Sequence, residues 1–255
     1  GAPVLLTILE ERRQNRKLAF FDVNETTPVV TPLRVVPFAT DLRSPEPFVF
    51  QSSSGASVVV SGQGSNDIVN LGGAAGLAID PATSELYVGD GYRNHRVIVF
   101  DADTGVYKRH WGAYGRRPDD AYFKSASDKG GIEAEDASAY NPNDPPSPQF
   151  RVVHSVRISK DGLVYVCDRT NDRIQVFRKD GTFVKEAFIA RYTKGSGSAW
   201  DMVFSNDPEQ KFIILTDGTN EVVWELRRDT LEVLAAFGGA GHWPGQFYGP
   251  HNIAS

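Results

Sequence analysis

Short apolar runs alternate with polar turns along most of this chain, and three stretches repeat one design. In Glu85–Asp101 the runs Leu86-Tyr87-Val88 and Val97-Ile98-Val99-Phe100 flank a turn containing Gly, Asp and Asn. Both runs are rich in β-branched or aromatic residues, which is the pattern of an antiparallel hairpin. The design returns in Leu163–Gly181 and in Phe212–Thr230. In each copy an Asp (Asp90, Asp168, Asp217) closes the first run and an Asn (Asn94, Asn171, Asn220) stands in the turn. A further run precedes each pair (Gly76–Asp80, Ser155–Ser159, Asp201–Ser205), and another follows from Val106, Thr182 and Leu231. Four strands per repeat, recurring at roughly 40 to 50 residues, predict the blades of an all-β propeller.

The first part of the chain is read against this repeat. Residues 5–21 hold many helix formers, yet Leu5–Leu9 takes the place of a second strand and Asn15 falls where Asn94 and Asn171 lie. Lys17–Phe21 then becomes a third strand and Val29–Val36 a fourth. The missing first strand stands at the other terminus, as His251–Ser255. The two ends are therefore expected to complete one shared blade, which removes exposed edges; the alternative is a piece of a longer propeller. Residues 39–72 carry strand-like runs at Pro47–Phe50 and Ser57–Gly62, either a degenerate blade or an elaborated connection. The expected architecture is one domain over residues 1–255, of five or six four-stranded blades.

A long loop at 113–150 has no counterpart in the other repeats. It is acidic, with Asp119, Asp120, Asp128, Glu133, Glu135, Asp136 and Asp144. Loops this long inside a compact domain are functional or disordered. The readings open for it are a solvated excursion, a partner-binding loop or a calcium site, although the carboxylates lack the alternate spacing of an EF-hand.

Composition narrows the function classes. The chain has 255 residues, 40% hydrophobic and 11% aromatic, enough for a sizeable core. A net charge of -5 gives no electrostatic footprint for nucleic acid. No apolar run approaches the roughly 18 to 20 residues of a spanning helix, so no membrane-spanning segment is expected. The single Cys167 excludes an internal disulfide, and its place inside a strand predicts a buried apolar role. The Gly1-Ala2-Pro3 start, with no methionine, suits a processed secreted protein or a trimmed chain equally. No phosphate-binding Gly loop, nucleophile elbow or Cys-x-x-Cys pair is present. Trp111, Trp200, Trp224 and Trp243 are expected to pack between blades, with lining of the channel mouth the alternative for Trp200, which opens a first strand.

Two junctions between repeats share a phrase, PSPQFRVVHSVRIS (Pro146–Ser159) and HWPGQFYGPHNIAS (His242–Ser255). Each has a Pro, then Gln-Phe, then a His opening the next first strand. With the Asp-turn-Asn hairpins, this resembles the NHL-repeat β-propeller family over most of Gly76–Ser255. Within that family VGDGYRNHRVIVF, VCDRTNDRIQVF and GPHNIAS look like segments of the catalytic propeller of peptidyl-α-hydroxyglycine α-amidating lyases.

The resemblance implies a zinc ion held by histidines at strand openings, with His154 and His251 matching two of them. It further implies Tyr92 as the catalytic tyrosine and Arg169 as a stabiliser of negative charge. Dealkylating an α-hydroxyglycine requires proton removal from the hydroxyl as the C–N bond breaks, which a Lewis acid or a tyrosinate assists. The chain also departs from the pattern. Gly76 and Asp201 occupy the other openings, Asn252 stands where the lyase has an Asp, and no cysteine accompanies Tyr92. A catalytic zinc normally takes three protein ligands, and two histidines make a weak site. The alternative for both histidines is a backbone-bonding role without metal. The leading expectation is therefore a secreted or periplasmic propeller that binds a small molecule, peptide or protein at its central-channel face, with Trp200, Asp201 and Asn252 among its ligand contacts. The metal-dependent lyase is the second.

Overall fold

The computed structural model describes residues 4–11, 15–23, 30–37, 48–51, 57–60, 64–68, 71–122, 141–193 and 195–254. Strands β1 (Val4–Glu11), β2 (Asn15–Val23) and β3 (Val30–Pro37) form one antiparallel sheet, and β4 (Phe48–Gln51) pairs with β5 (Ser57–Val60). Three four-stranded meanders follow: β6 (Ala74–Asp80), β7 (Glu85–Asp90), β8 (Arg96–Asp101) and β9 (Tyr107–Trp111); then β10 (Val153–Ile158), β11 (Val164–Asp168), β12 (Arg173–Phe177) and β13 (Phe183–Phe188). The last comprises β14 (Asp201–Phe204), β15 (Phe212–Asp217), β16 (Val222–Arg227) and β17 (Val233–Gly238). The protein is an all-β propeller, and residues 5–21 are two paired strands despite their helix formers.

Alternate side chains of one strand serve different neighbours, because successive residues of a strand point to opposite faces. On β11, Val164 and Val166 meet Val97, Val99 and Trp111 of the sheet before, while Tyr165 and Cys167 meet Met202, Ile213 and Leu215 of the sheet after. Both faces are buried, which is why the strand reads as a continuous apolar run. Cys167 is a buried free thiol, as its position predicts. Trp111 lies between the first two complete sheets and Trp224 packs against the core of the last two, whereas Trp243 is 78% exposed. The opening strands β6, β10 and β14 stand side by side, so each blade's first strand abuts that of the next. Gly76 allows this: a Cβ there would lie 2.8 Å from the His154 carbonyl oxygen. At the far ends of the sheets, Lys179 reaches Asp80 and Arg228 forms bonds of 2.9 and 3.0 Å to Asp161, tying each blade to its neighbour.

The repeated Asp and Asn have one structural role. Asp90 accepts from Asn94 Nδ2 (2.7 Å) and Arg96 Nε (2.9 Å), and Asp168 from Asn171 Nδ2 (2.7 Å) and Arg173 Nε (2.8 Å). All four charged side chains are fully buried. The same arginines also donate to loop carbonyls, Arg96 to Ser65 (2.9 Å) and Asp67 (2.5 Å), Arg173 to Ser147 (2.9 Å) and Gln149 (3.0 Å). Each ion pair thus anchors the connection that enters its blade. In the third copy Val222 stands opposite Asp217 where the other copies have arginine, and Trp224, two residues on, donates its Nε1–H to Asp217 at 3.0 Å beside Asn220. Burial pushes the carboxyls of Asp90 and Asp217 above their ordinary value, opposed by these hydrogen bonds and, at Asp90, by Arg96.

One expectation changes. The first strand predicted at His251–Ser255 does not complete the β1–β3 sheet: residues 251–254 form no strand. Their backbone is held by the last blade, Ile253 N–H donating to Asp201 Oδ2 at 3.2 Å and Thr216 Oγ1 lying 3.5 Å from the His251 carbonyl. The segment therefore lies beside β14, where a following opening strand would run, and among the described residues no second strand forms a ladder with it. The 113–150 loop begins as a docked turn, Tyr114 donating its N–H to Gln175 Oε1 (3.1 Å) and its hydroxyl to Glu186 Oε1 (3.0 Å). Of its carboxylates, Asp120 accepts from Ser65 N–H at 2.8 Å and Asp144 from Asn141 at 2.9 Å. Asp128, Glu133, Glu135 and Asp136 lie outside the described residues.

Changing Arg173 to Ala leaves Asp168 buried without its cation, a loss of about 3–5 kcal/mol. Urea unfolding should show a lowered midpoint for this variant, and a double change to Arg173→Met with Asp168→Asn should recover most of the loss.

Candidate functional site

In an antiparallel meander the opening of the first strand and the turn joining the second and third lie at the same end of the sheet. The openings carry His154 and Trp200, and those turns carry Tyr92 and Arg169. The end segment 251–254 delivers His251 and Asn252 to the same place. His154 and His251 have ring centroids 4.7 Å apart, and Trp200 meets both edge-on, at 5.5 Å and 4.9 Å. Tyr92 meets His154 edge-on at 5.9 Å. The Arg169 guanidinium lies 4.6 Å from the Trp200 ring centre and 5.6 Å from that of Tyr92. Stacking of this kind suits the planar, weakly hydrated guanidinium.

Strand register gives the site its rule. Ser155 pairs with Cys167, Gly76 with Gly89 and Asp201 with Thr216, which makes these three openings equivalent. Irregularities fall at Val153/Ser155 and at Ala74/Gly76. His154 therefore occupies a bulge, a local extra residue that re-aims a side chain. Its counterparts are Ala75 and Trp200. The equivalence drawn from sequence, with Gly76 and Asp201 opposite His154, is one residue out, because spacing along the chain does not disclose a bulge.

The electrostatics of His154 are set by its surroundings. Its Nδ1 lies 2.8 Å from the Trp200 carbonyl oxygen. A carbonyl only accepts, so Nδ1 carries the proton and Nε2 keeps a lone pair. Nε2 is buried and has no hydrogen-bond partner among the described residues. Burial, then the nearby Arg169 charge, lower the pKa of His154 to about 3. His251 is exposed, and its Nδ1 lies 2.5 Å from Asn252 Oδ1. An amide oxygen likewise accepts, so the Nε2 lone pair of His251 is also free to accept. Asn252 thus orients one histidine as the Trp200 carbonyl orients the other.

Asp201 is engaged in the frame. Its carboxylate receives Arg157 at 2.7 Å on both oxygens, the Ser155 hydroxyl at 2.5 Å and the Ile253 N–H. It thereby joins two blades and the end segment. Sequence reasoning also missed Gly197, at φ +75, where a Cβ would lie 2.0 Å from the Arg169 carbonyl oxygen. Its carbonyl accepts from Trp200 Nε1 and from Thr219 Oγ1, both at 2.7 Å. The Gly-Ser-Gly run around it was the available signal. Among the described residues no group of three or more His, Cys, Asp or Glu is placed to hold a metal ion. His154 and His251 would supply two ligands to zinc, one fewer than a catalytic site normally has.

Comparison with known proteins accords with the repeat. A family model for the NHL repeat matches residues 150–177, the stretch that runs from Phe150 through β10, β11 and β12. The chain carries an NHL repeat. Over 112 residues it is 35% identical to peptidyl-glycine alpha-amidating monooxygenase B of Xenopus laevis, 43% of this chain and 10% of that protein. Over 89 residues it is 33% identical to human NHL repeat-containing protein 3, 34% of this chain and 22% of that one. The matched stretches are thus small parts of both relatives. Virginiamycin B lyase from Staphylococcus aureus has a similar fold, with a TM-score of 0.51 at 10% identity, over 96% of this chain and 72% of that one. The resemblance to NHL-repeat propellers and to amidating enzymes read from the sequence is thus matched over part of the chain.

His154 gives the propeller an acid dependence of definite sign. The unfolded chain takes up a proton near the ordinary histidine value of about 6.5, while the folded chain resists it until about pH 3. The stability contributed by neutral His154 is present above the unfolded value and is lost as pH falls through that window. Urea midpoints of the wild type should fall more steeply between pH 7 and 4 than those of His154→Leu.

Proposed function

We propose that this propeller binds a ligand at its channel face, outside the cytoplasm, through His154, His251, Tyr92 and Arg169, with Trp200 and Asn252 beside them. The observation that carries the reading is the buried, unpartnered Nε2 of His154 next to a second imidazole. A buried polar atom without a partner costs about 1–3 kcal/mol, so a site that keeps one is suited to an incoming hydrogen-bond donor or cation. Arg169 adds a fixed positive charge at the same place, suited to a carboxylate-bearing small molecule or peptide. The net charge of -5 argues against a nucleic-acid partner. Calcium in the 113–150 loop remains a separate proposal, resting on its carboxylates alone.

A second reading is favoured by the convergence of Tyr92 and Arg169 on the histidine pair together with the 35% identity to an amidating enzyme. Here the chain is a lyase acting on peptidyl-α-hydroxyglycine. Tyr92, acting as its phenolate, takes the hydroxyl proton and returns it to the nitrogen as the C–N bond breaks, so the nitrogen leaves as the peptide amide and the two carbons leave as glyoxylate. Arg169 holds negative charge in place. The described residues offer too few ligands for a catalytic zinc, so no step is routed through a metal.

Glyoxylate release from an α-hydroxyglycine-extended peptide separates the two readings. The lyase predicts turnover that Tyr92→Phe lowers by about 10²–10⁴-fold, the range for a proton-transfer group. The binding reading predicts calorimetric binding of the peptide, weakened by Arg169→Met, with no glyoxylate formed. A wild-type protein that neither binds the peptide nor cleaves it removes both.

A further inference from the structure

We infer that Trp200 is the positioning residue of this site, holding both histidines and Arg169 in their working orientation. The proposal deepens the binding reading above and rests on it for its functional meaning.

Two consecutive opening positions carry His154 and Trp200, the end segment delivers His251, and their rings form a closed triangle of edge contacts at 5.5, 4.9 and 4.7 Å. Trp200 acts on its neighbours by three separate means. Its carbonyl takes the Nδ1 proton of His154 and so fixes which nitrogen faces the ligand. Its indole flanks both imidazoles and lies under the Arg169 guanidinium at 4.6 Å. Its Nε1–H, donated to the Gly197 carbonyl, closes the turn that sets where the carbonyl stands.

The surroundings are shaped around the indole. A Cβ on Gly218 would come within 2.9 Å of its ring and 3.1 Å of the Pro250 carbonyl oxygen. Gly218 follows the strand-closing Asp217, the position that Arg169 holds after Asp168 and Gly91 after Asp90. The third blade thus gives up a side chain at the turn so that the opening tryptophan can occupy the space. With Ala75 at the first opening, these ring contacts come from the later two openings and the end segment.

The test uses the full chain and two readouts. In the wild type the His154 Nδ1–H, donated to a buried carbonyl, should appear as a slowly exchanging imidazole N–H resonance. Trp200→Leu should lose that resonance to exchange, while Trp200→Phe, which restores an aromatic ring, should retain it. Trp224→Leu, a control in the same blade away from the histidines, should retain it despite lowered stability. Titrated with zinc ion alone, Trp200→Leu should bind about 10–100-fold more weakly than the wild type, the usual effect of removing a group that orients a ligand histidine. Should the wild type bind no zinc, the metal form of the site falls, and the resonance still decides the role of Trp200. Retention of the resonance in Trp200→Leu, or equal loss in Trp224→Leu, overturns the proposal.

Discussion

The fold turns on a carboxylate buried where each second strand ends. An unpaired charge at such depth is costly, so Asp90 and Asp168 are bearable only because an arginine from the neighbouring strand and an asparagine from the turn enclose them. The arginine then has donors to spare, and it uses them on the carbonyls of the incoming connection. One ionic contact therefore fixes a turn, a strand register and a loop at once. It also fixes the end of the sheet at which the turn residues Tyr92 and Arg169 are presented.

That dependence explains how much could be read from the sequence. The strands were legible because both faces of each sheet are covered, giving dense apolar runs, and the Asp and Asn were legible because they recur at matching points. The arginine partners were less so: Arg169 stands next to Asp168 in sequence, yet it is Arg173, on the next strand, that pairs with it. Arg169 is left to lie against the rings of Tyr92 and Trp200. Sequence also singled out two histidines that the fold brings to 4.7 Å, while placing their equivalents one residue out. A bulge changes which side chain faces the channel without changing composition or length, so periodicity carries no trace of it. The contribution of a backbone carbonyl, such as that of Trp200, leaves no mark in the sequence at all.

The site is built from positions that the repeat offers in every blade but uses differently in each. The residue after the closing Asp is Gly91, Arg169 or Gly218, and the opening residue is Ala75, His154 or Trp200. A Cβ on Gly91 would lie 2.2 Å from the backbone nitrogen of Val153, so the first turn is kept bare by the second blade's approach. Chemistry is concentrated at the junction of the second and third complete blades and the end segment, where small residues elsewhere leave room for large ones. The propeller supplies the geometry on which these side chains converge.

Loss of the arginine in the last complete blade, where Val222 stands in its place, gives the molecule a direction. Asp217 is fully buried with neutral partners, whereas its two counterparts have cations. Thermal opening should therefore begin in this blade and travel backward, so its amides would exchange with deuterium before those of β10–β13. His251 and Asn252 hang from this looser unit while His154 belongs to the tighter one. The two halves of the site are joined across a gradient of rigidity, and a ligand touching both would draw the fraying blade closed.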